Sequence, residues 1–161
     1  MTSSSTDTQA YIFFELAGTT YGIPSQAVQQ MEMINHITPV PNASVFVEGV
    51  VFSRGQVIPA INLRTRFGLQ KVPYNLRTRL IVISTDFSGT VHRTVGLIVD
   101  TAREFVTVSP QEIQPPPDGI SGLSGKYLTG IVIREQRVIL LINVNELLTA
   151  QESANLVSYT S

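Results

Sequence analysis

The stretch from Val45 to Leu69, VFVEGVVFSRGQVIPAINLRTRFGL, carries two apolar, β-rich arms separated by the polar break Ser53-Arg54-Gly55-Gln56. Valine and isoleucine crowd both arms, as strands buried in a small barrel require, and a glycine-bearing break lets the chain reverse as a hairpin. Arg54 then stands at a tight turn, where a guanidinium is hard to bury and well placed to meet a partner. Pro59 in the second arm removes a ladder donor, which predicts an edge or a bulge for that strand.

The rest of the chain repeats the theme of short strands with little helix. Residues 1–9 read as a disordered tail, and order is predicted from Tyr11-Ile12-Phe13-Phe14-Glu15-Leu16, returning through Thr20-Tyr21-Gly22-Ile23 after an Ala17-Gly18 turn. Pro24-Ser25 opens a segment in which Ala27, Val28, Met31 and Ile34 recur at helical spacing, predicting one or two helical turns. A second β series follows the polar stretch 70–79: Leu80 to Ser84, Val91 to Val99, Glu104 to Val108, then Tyr127 to Ile133 and Val138 to Ile142. Pro115 to Lys126 is an extended, glycine- and serine-rich connection. Asn143 with Glu146 forms a capping-box signal for a closing helix through Leu147 and Leu148, with 151–161 its end or a tail. Many short strands at close spacing argue for barrels over a βαβ sheet, so the fold class is mainly β.

Composition narrows the functions open to such a fold. At 161 residues, 43% hydrophobic and 14% charged, the chain suits one domain or two small lobes around a sizeable core. A net charge of −1 supplies no basic field that would steer it to nucleic acid or anionic lipid. Without cysteine it has no disulfide, thiolate chemistry or sulfur-ligated zinc, which fits a reducing cytoplasm. The polar start MTSSSTDTQ lacks the pattern of a secretory signal, and runs such as Val138 to Ile142 are too short to span a bilayer, so a soluble, cytoplasmic protein is expected.

Six short motifs, in order along the chain, carry a resemblance. They are Tyr21-Gly22-Ile23-Pro24 with Val28; Thr38-Pro39-Val40-Pro41-Asn42; Gly49-Val50 running into Arg54-Gly55; Val57-Ile58-Pro59 with Asn62-Leu63-Arg64; Val95 to Asp100; and Tyr127-Leu128-Thr129-Gly130. Together they make the chain resemble the CheW family, the coupling proteins of bacterial chemosensory arrays, from Tyr11 to Leu148. The resemblance implies a single domain over 10–150, built of two SH3-like five-stranded β-barrels sharing an apolar core, with their connection near 70–79. It implies no catalysis and no cofactor. The implied partners are the regulatory domain of a CheA-like histidine autokinase and the cytoplasmic tip of a methyl-accepting chemoreceptor, with recruitment to membrane-associated arrays but no membrane insertion. Carried over by position, Arg54 and Val28 fall on residues linked with receptor binding, and Gly49 and Gly55 on backbone-shape positions beside them. Two departures stand out: Phe52-Ser53 replaces the usual Asn-Leu before Arg-Gly, and Gln30 stands where a glutamate is usual. These point to altered receptor binding and to a divergent array, such as one governing motility other than flagellar swimming.

Other readings of the same residues stay open. Arg54 can be a solvated turn residue, and Val28 can be ordinary core. Phe52 could supply the apolar surround that makes an arginine a hot spot. Between Asn62 and Arg79 the cations Arg64, Arg66, Lys71, Arg77 and Arg79 occur without an acid. That stretch can be a solvated link, a charged interface rim around Arg64 and Arg66, or the basic loop of an OB-like barrel binding single-stranded nucleic acid. Scarce local aromatics, Phe67 and Tyr74, and the acidic balance disfavour the last. No enzyme constellation emerges. His36 and His92 have no metal-binding spacing, Asp100 and Glu104 read as solvated charges, and Gly119 to Gly125 lacks the lysine of a phosphate loop.

Overall fold

The computed structural model describes residues 8–87, 91–117 and 127–147. The strands are β1 (Gln9–Leu16), β2 (Thr19–Pro24), β3 (Val28–Met33), β4 (Val47–Ser53), β5 (Gln56–Asn62), β6 (Arg79–Phe87), β7 (Val91–Val99), β8 (Thr101–Val108), β9 (Leu128–Arg134) and β10 (Arg137–Ile142). One short helix, α1 (Leu63–Arg66), and three single 3-10 turns, Ser25–Ala27, Pro110–Glu112 and Val144–Glu146, complete the described elements. The strands form two five-stranded sheets, ordered β8-β1-β2-β10-β9 and β3-β6-β7-β5-β4. Each sheet makes one SH3-like barrel.

The two barrels share one plan. In each, a parallel pair joins two antiparallel hairpins: β2 beside β10, with Thr20 opposite Ile139, and β7 beside β5, with Gly96 opposite Ala60. Strand by strand, β8, β9, β10, β1 and β2 occupy the sheet positions of β3, β4, β5, β6 and β7. The first barrel is therefore a circular permutation of the second, which is inserted between β2 and β8. The chain crosses from barrel to barrel through the turn Ser25–Ala27 and returns through Asp100 alone. The segment 70–79 runs from α1 to β6, within the second barrel, so it does not connect the lobes as expected.

Apolar runs without alternation follow from this architecture, because several strands bury both faces. Ile12, Phe14 and Leu16 of β1 join Ile81 and Ile83 of β6 and Val95, Leu97 and Val99 of β7 in a central core between the barrels. The opposite faces fill each barrel's own interior: Tyr11, Phe13, Val132, Ile139 and Leu141 in the first, and Val51, Ile58, Leu80, Val82 and Ile98 in the second. Burying side chains of this size contributes about 1.5–3 kcal/mol each, so the central cluster binds the two barrels firmly.

Several local expectations change. The first strand starts at Gln9, earlier than expected, because that residue pairs with Val108. The predicted helical turns after Pro24 shrink to one 3-10 turn, and Val28 to Met33 is a strand because β6 offers it a partner, Met31 opposite Ile81. Pro59 lies on an interior strand. Its neighbour across β4, Val50, exchanges both backbone hydrogen bonds with Thr38, and the ladder from β5 to β7 begins one residue later at Ala60, so no donor is required of Pro59. At the closing segment Asn143 caps only a 3-10 turn, accepting from the Asn145 N–H at 3.0 Å. Residues 1–7 of the expected tail, the connection from Gly119 to Lys126, the His92 and Glu104 side chains and the helix or tail from Leu148 onward lie outside the described residues.

Candidate protein-interaction site

The opening hairpin is formed as expected, with β4 and β5 joined by the two-residue turn Arg54-Gly55. Both residues adopt positive φ, 49° and 84°, the conformation of a type I′ turn whose twist matches the flanking strands. Arg54 is exposed and makes no bond to another described residue. Alternation sets the surroundings: Val51 and Ser53 face inward, while Phe52, 75% exposed, stands opposite Val57, 45% exposed, on the outer face. The two glycines serve different ends. Gly55 has open space around it and is needed for conformation, whereas a Cβ on Gly49 would lie 2.1 Å from the Thr38 carbonyl oxygen. Gly49 is five residues from Arg54, roughly 16 Å down the strand, so it shapes β4 and stands apart from the turn.

β3 and β4 are the two edge strands of the second barrel, and side chains bridge them. Gln30 Nε2 donates to Glu32 Oε2 at 2.6 Å and to Ser53 Oγ at 2.5 Å, and Ser53 Oγ donates to the same Glu32 oxygen at 2.8 Å. An ionised carboxylate only accepts, which orients the glutamine amide and the serine hydroxyl. The two departures noted above, Gln30 and Ser53, are thus in direct contact. Val28 sits two residues up the same strand, partly buried, paired with Ile83 and packed against the central core. The seam brings Gln30, Ser53 and the base of the Arg54 turn together.

The basic stretch is largely engaged within the protein. Arg64 donates from Nε and Nη2 to the two Asp100 oxygens at 2.8 and 2.6 Å, and from Nη1 to the Gln70 carbonyl. Asp100 also accepts from the Ala17 N–H at 2.9 Å, so it ties the β1–β2 turn and α1 to the inter-barrel crossing. Burial pushes its carboxyl upward, but the Arg64 and Ala17 hydrogen bonds outweigh burial and hold it below the usual range. This corrects the reading of Asp100 as a solvated charge. Arg66 donates to the Tyr127 hydroxyl at 2.6 Å, with its guanidinium 5.5 Å from the Phe46 ring centre. Lys71 pairs with Glu48 at 2.8 Å, and Arg79 caps the Leu76 and Thr78 carbonyls. Arg64 and Arg66 therefore brace the junction instead of lying loose at a rim. Phe67 packs between Tyr21, tilted by 50° at 5.6 Å, and Tyr127, stacked at 6.1 Å, in an aromatic row that begins at Phe14, so its faces are engaged within the protein.

Sequence reasoning missed Glu32, the role of Ser53 and the hub at Asp100. It also missed a cleft of about 130 Å3 at the junction, lined by Tyr21, Phe67, Leu69, Tyr127, Leu140 and Ile142. Among the described residues no group of three metal-ligating side chains is assembled, and no helix is long and apolar enough to cross a membrane.

Comparison with known proteins agrees with the architecture. The profile of the CheW-like domain matches residues 10–152. The chain is 31% identical to the chemotaxis protein CheW of Klebsiella aerogenes over 91% of its own length and 85% of that protein. It is also 31% identical to the chemotaxis protein CheW of Bacillus subtilis, over 98% and 97%. Among solved structures it superposes on the scaffolding protein TtCheW from Thermoanaerobacter tengcongensis with a TM-score of 0.72, at 29% identity and covering 84% of this chain and 88% of that one. With a domain match across most of its length, and the two-barrel fold that the resemblance implied, the chain belongs to the CheW-like domain family.

Proposed function

We propose that this protein is a non-catalytic adaptor that couples a chemoreceptor to a histidine autokinase in a cytoplasmic signalling array. Membership of the CheW-like family supports the class of function, and the β4–β5 turn supports the site: Arg54 is exposed on a short, rigid hairpin and unpaired within the described chain. An arginine so held offers a planar fork of donors to a partner's carboxylate, with Phe52 and Val57 as apolar neighbours that exclude water from the contact.

The mechanism is geometric. Two barrels joined by a common core hold two partners at a fixed distance and angle, so a rearrangement in the receptor biases the kinase through a coupling free energy of about 1–3 kcal/mol. No bond is made or broken, and no cofactor is required.

The test is titration of the full chain with a soluble chemoreceptor tip fragment and, separately, with the kinase regulatory domain. Arg54→Glu should abolish the first interaction and leave the second intact. Undiminished receptor binding by Arg54→Glu would remove Arg54 from the site, and failure of the wild type to bind either protein would end the adaptor reading.

A further inference from the structure

Three of the partly buried acids carry a cation of their own. Asp100 holds Arg64, Glu48 holds Lys71 and Glu112 holds Arg134, each within 2.9 Å. Glu32 is bound differently. Both hydrogen bonds that it accepts come from neutral donors, Gln30 and Ser53, and both fall on Oε2. Neutral donors fix the direction of a carboxylate without cancelling its charge. Oε1 is left without a partner among the described residues, and none of their cations lies within 4.0 Å of the group.

Its place on the fold makes this significant. Glu32 lies on β3, an edge strand, at the seam with β4, and it is half-buried, so it can be reached from outside. Ser53, which anchors it, is the residue before Arg54. The seam therefore presents a fixed acid and the base of a free arginine turn, without an ion pair between the two. A surface of this kind is complementary to a partner that brings a cation to the first and an acid to the second, and such pairing sets register and orientation more than raw affinity.

We propose that Glu32 is a recognition residue of the receptor-binding surface, pairing with an arginine or lysine on the docked receptor helix, and that Gln30 and Ser53 are its positioning residues. The assignment rests on the adaptor reading above. It also locates the negative charge of this surface at residue 32, since residue 30 is neutral. Residues 30 and 32 point to the same side of the strand, roughly 7 Å apart. A receptor whose cation is placed for an acid at 30 is therefore discriminated against.

The experiment is calorimetric titration of the full chain with a soluble chemoreceptor tip fragment from the same cell, at low and high salt, using Glu32→Gln and Ser53→Ala. Glu32→Gln keeps the shape and removes the charge. It should weaken the fragment about tenfold at low salt and flatten the salt dependence, while kinase-domain binding is unchanged. Ser53→Ala, which removes one of the two bonds that orient the carboxylate, should weaken it about threefold with the salt dependence retained. Wild-type affinity and salt response in Glu32→Gln overturn the assignment while leaving the adaptor reading standing. Failure of the wild type to bind the fragment overturns both. If Glu32→Gln does not fold, the charge is tested from the other side: glutamine in place of each arginine and lysine of the receptor tip should reproduce the loss at one position, and the absence of any such position refutes the proposal.

Discussion

The two barrels are closed by different chemistry at equivalent places. In the first, Arg134 at the end of β9 reaches across to the Thr107 carbonyl of β8 at 2.5 Å, pairs with Glu112 and lies 6.0 Å from the Phe13 ring centre. That seam is internally neutral, and its hydrogen bonds are made within the protein. In the second, the corresponding strands β4 and β3 are joined by Ser53, Gln30 and Glu32, with a carboxylate that is ion-paired to no cation among the described residues. The turns differ too: Glu135-Gln136 caps the first hairpin and Arg54-Gly55 the second, all four residues at positive φ. One frame thus carries a finished seam and an open one, and the open one is the candidate for recognition.

The largest expected effect tests how tightly the open barrel is built. Gly49 and Gly130 each precede the residue of an isolated bridge, Val50 with Thr38 and Ile131 with Gln114. At Gly49 an added Cβ meets backbone and the φ of 147° is itself unfavourable, whereas at Gly130 the nearest atom is an Ile113 methyl at 2.7 Å. Gly49→Ala should cost about 3 kcal/mol, lowering the melting temperature by roughly 6–12 °C, and Gly130→Ala about 1 kcal/mol. Equal losses in thermal unfolding would show that the two seams tolerate crowding alike.

Next in size is the closed seam. Arg134→Met should cost about 1–2 kcal/mol in denaturant unfolding, since it removes bonds to Thr107 and Glu112 from a partly exposed site. Its pH dependence is diagnostic. The Arg134 hydrogen bonds, then the Ser109 N–H, hold the Glu112 carboxyl below its ordinary range. A depressed folded value means that the stabilisation is complete above the unfolded glutamate range of about 4.3 and is lost as pH falls through the folded value. Arg134→Met should therefore flatten the acid limb of the stability curve, and an unchanged limb would remove Glu112 from the account.

Ser53→Ala should cost about 1 kcal/mol of unfolding free energy, less than Arg134→Met, because Gln30 still holds Glu32. A larger loss would mean that the open seam serves stability first. Smallest is a gain: Gln136→Gly relieves a left-handed residue with a side chain and should add about 0.5–1 kcal/mol, whereas Gly55 already has that relief in the other hairpin.

Much of the fold was legible where short-range signals decide it. Polar, glycine-bearing breaks between β-branched runs marked the hairpins correctly, and the runs with both faces apolar implied burial on two sides. The segment after Pro24 misled because Val28, Met31 and Ile34 satisfy a helical spacing while β6, which makes Val28–Met33 a strand, lies some fifty residues away in sequence. The division into lobes misled for the same reason: nothing local announces that Thr20 will lie beside Ile139. At the candidate site, Arg54 was readable from its turn. Glu32 was not, because its environment is made by Ser53 on another strand, and the cations of the basic stretch gave no sign that Asp100, Tyr127 and Glu48 would occupy them.

The twofold crossing between the barrels bears on how such an adaptor transmits force. Bodies joined by one linker can swivel and tilt about it, and a push on one is absorbed as slack. Here the chain passes over at Ser25–Ala27 and back at Asp100, itself pinned by Arg64 and the Ala17 N–H. Two short tethers leave at most one axis of rotation, and the central core opposes movement about it. A torque applied to the Arg54 hairpin must then turn the whole molecule, so the first barrel moves as the far arm of a lever.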